Sequence, residues 1–159
     1  MKIYTAARFA RRQEMIAVNK MLTKAGHIMT ARWVQGGEDG LSREQIATLD
    51  FDDVKKADMV LVFTDPYGSL HKGGGRHTEL GLGYALKKRI WLVGELEQVF
   101  HSLPGVKRFD TVDEVVKALS VLDLPDYMKE EKVFRSTLTQ RDILDPRIWN
   151  SDQTVTKTL

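Results

Sequence analysis

The chain has 159 residues, 42% of them hydrophobic and 29% charged, a composition that excludes a wholly disordered or fibrous chain and suits one domain able to bury a core unaided. Lys and Arg number 24 against 22 Asp and Glu, so the balance of +2 gives no argument for a nucleic-acid polymer as partner. Cysteine is absent, which removes disulfides, thiolate chemistry and cysteine-ligated metals.

No apolar run is long enough for a membrane span: the longest is Met59-Val60-Leu61-Val62-Phe63. Met1 to Thr5 has no signal-like apolar stretch before Arg8, and a cytoplasmic location is expected. In chain order, Lys2 to Ala6 reads as a strand. Arg11 to Ala25 reads as a helix whose apolar side carries Met15, Ile16, Val18, Met21 and Leu22, with Gly26 as its stop. Ile28 to Val34 is β-rich, and residues 35–40 form a loop by composition. Ser42 and Gln45 have capping-box spacing and open a helix to about Ala57. Asp58 to Thr64 is the best strand, ended by Asp65-Pro66. A loop from Tyr67 to Gly75 precedes a helix over His77 to Lys87, then a strand over Arg89 to Gly94 and a short edge strand over Val106 to Phe109. Thr111 and Glu114 cap a last helix with Val112, Val115, Val116 and Leu119 on one side.

Strands that alternate with helices predict a flavodoxin-like α/β domain over residues 1–122, three layers with a parallel sheet of about five strands in order 2-1-3-4-5. Residues 123–159 are polar and lack periodicity. They read either as a solvated tail or as an arm that packs on a partner subunit through Phe134, Ile143, Ile148 and Trp149.

Two acids fall where acids are costly. The stripe Ile46, Leu49, Asp50, Asp53, Val54, Ala57 has helical spacing, with Asp50 in its middle. The stripe Glu79, Leu82, Gly83, Leu86 puts Glu79 on an apolar side in the first turn of its helix. In an open α/β sheet, ligands bind beyond the C-terminal ends of the strands, and both helices approach that rim beside the strand between them. Each acid alone has a plainer explanation: the helix dipole for Glu79, an arginine partner for Asp50. Together, beside a glycine-rich loop, they form a candidate catalytic pair.

That loop carries Lys72, Gly73, Gly74, Gly75, Arg76 and His77. Its amides and basic side chains, next to a helix start, suit an anion such as a phosphate. It matches neither a Walker loop nor a dinucleotide-binding fingerprint. The four histidines, His27, His71, His77 and His101, have no metal-ligand spacing, so no metal and no cofactor are expected. Arg8 sits at the rim and can meet a phosphate; Phe9 and Trp33 are candidates to stack on a base or to join the core.

Four segments resemble the nucleoside 2-deoxyribosyltransferases and the related nucleotide N-glycosidases. They are residues 3–9 with Tyr4, Asp50 to Asp58, Gly75 to Ala85 around Glu79, and Gln98 to Pro104. The resemblance implies that Glu79 is a nucleophile, that Asp50 handles the base and that Tyr4 hydrogen-bonds the glutamate. It also implies a small nucleoside or nucleotide substrate and a homo-oligomer, with His101 or Ser102 in the place of a hydroxyl-binding residue shared between subunits. Gly73 stands where the transferases carry an acid six residues before the glutamate. Base exchange, strict hydrolysis and a non-catalytic nucleotide sensor therefore all remain open.

Overall fold

The computed structural model describes residues 1–66 and 74–122. Lys72 and Gly73, and the apolar residues of the C-terminal extension, lie outside the described residues. The chain divides into two units, Met1–Ala118 and Leu119–Leu159. The sheet and the candidate site belong to the first.

Five parallel strands lie in the order β2-β1-β3-β4-β5, with helices on both sides, in agreement with the flavodoxin-like expectation. They are β1 (Lys2–Ala6), β2 (Ile28–Met29), β3 (Met59–Phe63), β4 (Arg89–Val93) and β5 (Lys107–Phe109). The helices are α1 (Arg12–Lys24), α2 (Arg43–Lys56), α3 (Gly75–Ala85) and α4 (Val112–Leu122). β3 is buried along its whole length, as a central strand covered on both faces must be. It pairs with β1 from Ile3↔Met59 to Ala6↔Val62 and with β4 from Met59↔Arg89 to Phe63↔Val93.

α2 begins on a complete capping box. The Ser42 hydroxyl accepts the Gln45 N–H at 3.2 Å and the Gln45 side chain accepts the Ser42 N–H at 2.8 Å. α2 and α3 pack against each other and against β1. At Gly83 a Cβ atom would stand 2.6 Å from Val60 Cγ2 and 3.0 Å from Ile90 Cδ1, so glycine is what lets α3 approach the sheet this closely.

Two expectations need correction. The β-rich stretch from Ile28 to Val34 yields only a two-residue strand, followed by a 3-10 turn at Arg32–Val34. The chain leaves the sheet edge because its side chains find better partners elsewhere. Trp33 is buried and donates its indole N–H to the Thr5 carbonyl at 2.9 Å. Arg32 gives Asp53 both its backbone N–H, at 3.0 Å, and its Nε, at 2.8 Å. The second correction concerns α3. It starts at Gly75, two residues before His77, and its inward stripe is Arg76, Glu79, Leu80 and Gly83. Leu86 is exposed, so Glu79 and Gly83 face inward as expected but with Arg76 and Leu80 beside them.

Candidate active site

Tyr4, in the middle of β1, meets Glu79 of α3; because the helix starts at Gly75, Glu79 falls just beyond its first turn and not within it as the sequence suggests. The Tyr4 hydroxyl donates to Glu79 Oε1 at 2.7 Å. Tyr4 is fully buried and Glu79 is 8% exposed, while Glu79 Oε2 has no hydrogen-bond partner among the described residues. Burial is the main reason that the Glu79 carboxyl is raised to about 7; the Tyr4 hydroxyl pulls the other way by stabilising the ionised form. The Tyr4 phenol is itself pushed far up, by burial first and then by the neighbouring acids, so it remains a donor.

Asp50 reaches the same place from α2. Its carboxyl is raised to about 6, by burial first and then by the charges of Glu38 and Asp53, while Tyr4 and Arg32 lower it. The arginine partner foreseen for Asp50 belongs instead to Asp53, which Arg32 engages from one turn further along α2. Asp50 is thereby left to line the cleft.

The cleft holds about 370 Å³. Its walls come from Ala7, Arg8, Phe9 and Ala10 after β1, Trp33 and Glu38 after β2, Ile46 and Asp50 of α2, and Gly75, Arg76 and Glu79 of α3. Tyr4, Arg8, Phe9, Asp50, Gly75, Arg76 and Glu79 are thus gathered at one place. Phe9 is exposed and its ring lies 6.5 Å from that of Trp33, leaving an aromatic face at the mouth. Gly74 is the residue before the first turn of α3, which carries no side-chain cap. The positive end of a helix favours an anion at such a start.

The basic residues are not free side chains. Asp65, immediately beyond β3, is 3% exposed and is surrounded by Arg8, by Arg11 at 3.7 Å and by Arg76 at 3.2 Å. Glu97 takes Arg76 Nη2 at 2.5 Å and the Asp65 N–H at 2.8 Å. Arg76 therefore enters the cleft as a charge fixed by two carboxylates. The sequence offers a signal for Asp65, an acid just past the most apolar strand, but none for Glu97 or Glu38.

His77 and His101 do not line this cleft, and Ser102 is exposed in the 3-10 turn Val99–Ser102. The two histidine rings nevertheless lie 5.5 Å apart, and their ligand atoms and the Glu97 carboxylate fall within 4.8 Å of one another, a proximity invisible in sequence spacing. Arg76 occupies both Glu97 oxygens, and His101 Nδ1 accepts the Glu97 N–H at 3.3 Å. The cluster thus acts as a polar strut between α3 and the segment after β4. No helix among the described residues is long and apolar enough to cross a membrane.

No protein-family model matches the chain, and no curated protein matches it. Solved structures do. A CMP N-glycosidase, BcmB, of Clostridium botulinum aligns with a TM-score of 0.55 at 19% identity, over 76% of this chain and 98% of its own. A 2-deoxyribosyltransferase from Bacillus psychrosaccharolyticus aligns with a TM-score of 0.54 at 20% identity, over 81% of this chain and 96% of its own. At these identities the likeness shows a shared fold.

Proposed function

We propose that the protein breaks the N-glycosidic bond of a (deoxy)nucleoside or its 5′-monophosphate, with Glu79 as nucleophile. The observation that carries this reading is the buried Glu79 carboxylate, held at one oxygen by Tyr4 at 2.7 Å with the other oxygen unbonded, in a cleft shared with Asp50. The names of both structural neighbours fit it.

In this mechanism an oxygen of Glu79 bonds to C1′ as the bond from C1′ to the base nitrogen breaks. The electron pair leaves with the base, which takes a proton from Asp50. A carboxyl raised to about 6 retains that proton near neutrality far better than an ordinary aspartate. Water then attacks C1′, its proton returns to Asp50, and Glu79 is released as carboxylate. A second base in place of water gives exchange. Phe9 and Trp33 offer the base an aromatic wall, and the uncapped start of α3 with Arg76 suits a 5′-phosphate.

Incubation of nucleosides and monophosphates, with and without a second free base, followed by chromatography, tests the proposal. Base release without an acceptor identifies hydrolysis, and product only with an acceptor identifies exchange. Binding without turnover, or wild-type turnover by Glu79→Ala, refutes the nucleophile. A homo-oligomer belongs to the same proposal. Leu96, Val99 and Phe100 are exposed apolar residues close together in the chain, and light scattering is expected to show at least a dimer.

A further inference from the structure

Glu38 faces the cleft without any partner of its own. Its side chain makes no hydrogen bond or ion pair among the described residues, yet the residue lines the cleft with Asp50, Ile46, Phe9 and Trp33. The turn that places it is built by backbone rather than by the side chain. Gly36, Gly37 and Gly40 have φ of 86°, 100° and 84°, the left-handed conformation that glycine adopts without strain, and the Leu41 N–H donates to the Glu38 carbonyl at 3.0 Å. Arg12 supports the start of the turn through the Val34 carbonyl at 3.1 Å. Glu38 is thus a positioned acid whose hydrogen-bonding capacity is unspent.

A carboxylate only accepts hydrogen bonds, whereas a protonated carboxyl also donates one. An acid that donates, next to one that accepts, matches a base edge with a ring-nitrogen acceptor beside an amino group. Cytosine has that edge at N3 and N4, and adenine at N7 and N6. Uracil presents N3–H and O4, and hypoxanthine, like guanine, presents N7 and O6; both place a carbonyl oxygen against the second carboxylate.

We propose that Glu38 is the specificity-determining residue of this cleft: beside Asp50, its carboxylate selects amino-bearing bases, cytosine and adenine, over their carbonyl counterparts. The inference rests on the reading of the cleft as a nucleoside site and adds the class of base. A hydrogen bond to a charged acceptor corresponds to a preference of about ten- to a hundredfold.

The test compares substrates that differ in one group: 2′-deoxycytidine against 2′-deoxyuridine and 2′-deoxyadenosine against 2′-deoxyinosine, as nucleosides and as 5′-monophosphates. The ratio of kcat/KM is measured for wild type and for Glu38→Gln, with folding checked by circular dichroism. Wild type is expected to favour the amino member of each pair at least about tenfold. In Glu38→Gln both ratios are expected to fall towards one, because the amide can rotate to donate as well as accept. Equal rates within each pair for wild type, or an unchanged preference in the variant, overturn the assignment of Glu38 and leave the nucleoside reading standing. No base release from any of these substrates overturns both.

Discussion

Replacing Glu79 by glutamine measures the electrostatic cost of the site without reference to any substrate. The carboxyl is 8% exposed, and burial lifts it from 4.5 to about 7. A group whose folded-state value lies above its unfolded value contributes stability that is fully present below the unfolded value and is lost as pH rises through the folded one. Ionisation of Glu79 above pH 7 therefore costs the fold about 3 kcal/mol. Glutamine stays neutral throughout this range and keeps an oxygen for the Tyr4 hydroxyl. Its NH₂ group takes the place of the unpartnered Oε2, a penalty of about 1–3 kcal/mol if unmet, but one that does not change with pH. The informative quantity is thus a difference of differences. Between pH 5 and pH 8, the stability of Glu79→Gln relative to wild type should move in the variant's favour by about 2–3 kcal/mol. Urea unfolding followed by circular dichroism at the two pH values reads it directly. A relative stability that is the same at both would refute the argument that burial holds this carboxyl up.

Three further outcomes follow from the same geometry. Asp50→Asn should lower base release by roughly 10²–10⁴-fold, with the smallest loss for bases that leave most easily, as measured by steady-state kinetics. Tyr4→Phe removes a hydroxyl that lowers both carboxyls, so both limbs of the pH–rate profile should move to higher pH, that of Glu79 by roughly one to two pH units; an unmoved profile would show that the 2.7 Å bond does not tune the site. Gly83→Ala should destabilise the protein by about 1–2 kcal/mol in urea, because a Cβ 2.6 Å from Val60 Cγ2 outweighs the better helix propensity of alanine.

What the sequence makes legible here is what period and topology control. The run from Met59 to Phe63 is buried on both faces and becomes a central strand, and the Ser42–Gln45 box marks the start of α2 to the residue. The β2 region misleads because its strand-forming composition competes with two specific long-range bonds, from Trp33 to Thr5 and from Arg32 to Asp53, that appear only once the chain is folded. The stripe on α3 misleads for a related reason. The sequence places Arg76 in the loop ahead of the helix, yet it lies in the first turn of α3 and is buried against Asp65 and Glu97. Asp50 and Asp53 have equal claims by spacing. Only the position of Arg32 separates the acid that is tied down from the acid that faces the cleft.

The same burial that makes Glu79 and Asp50 noticeable sets them against their proposed roles. A nucleophile must be ionised and an acid catalyst protonated, yet Glu79 is raised to about 7 and Asp50 only to about 6. If the two titrated independently, less than roughly a tenth of the protein would carry the productive pair even at the best pH, midway between them. They do not titrate independently, because the charge of Asp50 is among the causes that raise Glu79. One proton held on Asp50 therefore eases the ionisation of Glu79, and the Tyr4 hydroxyl, bonded to Glu79 and lowering both acids, favours the charged form of whichever loses its proton. Carboxyls that interact in this way titrate as a pair and not as two independent acids. In the proposed mechanism, a pair that shares one proton supplies both the carboxylate for C1′ and the acid for the departing base.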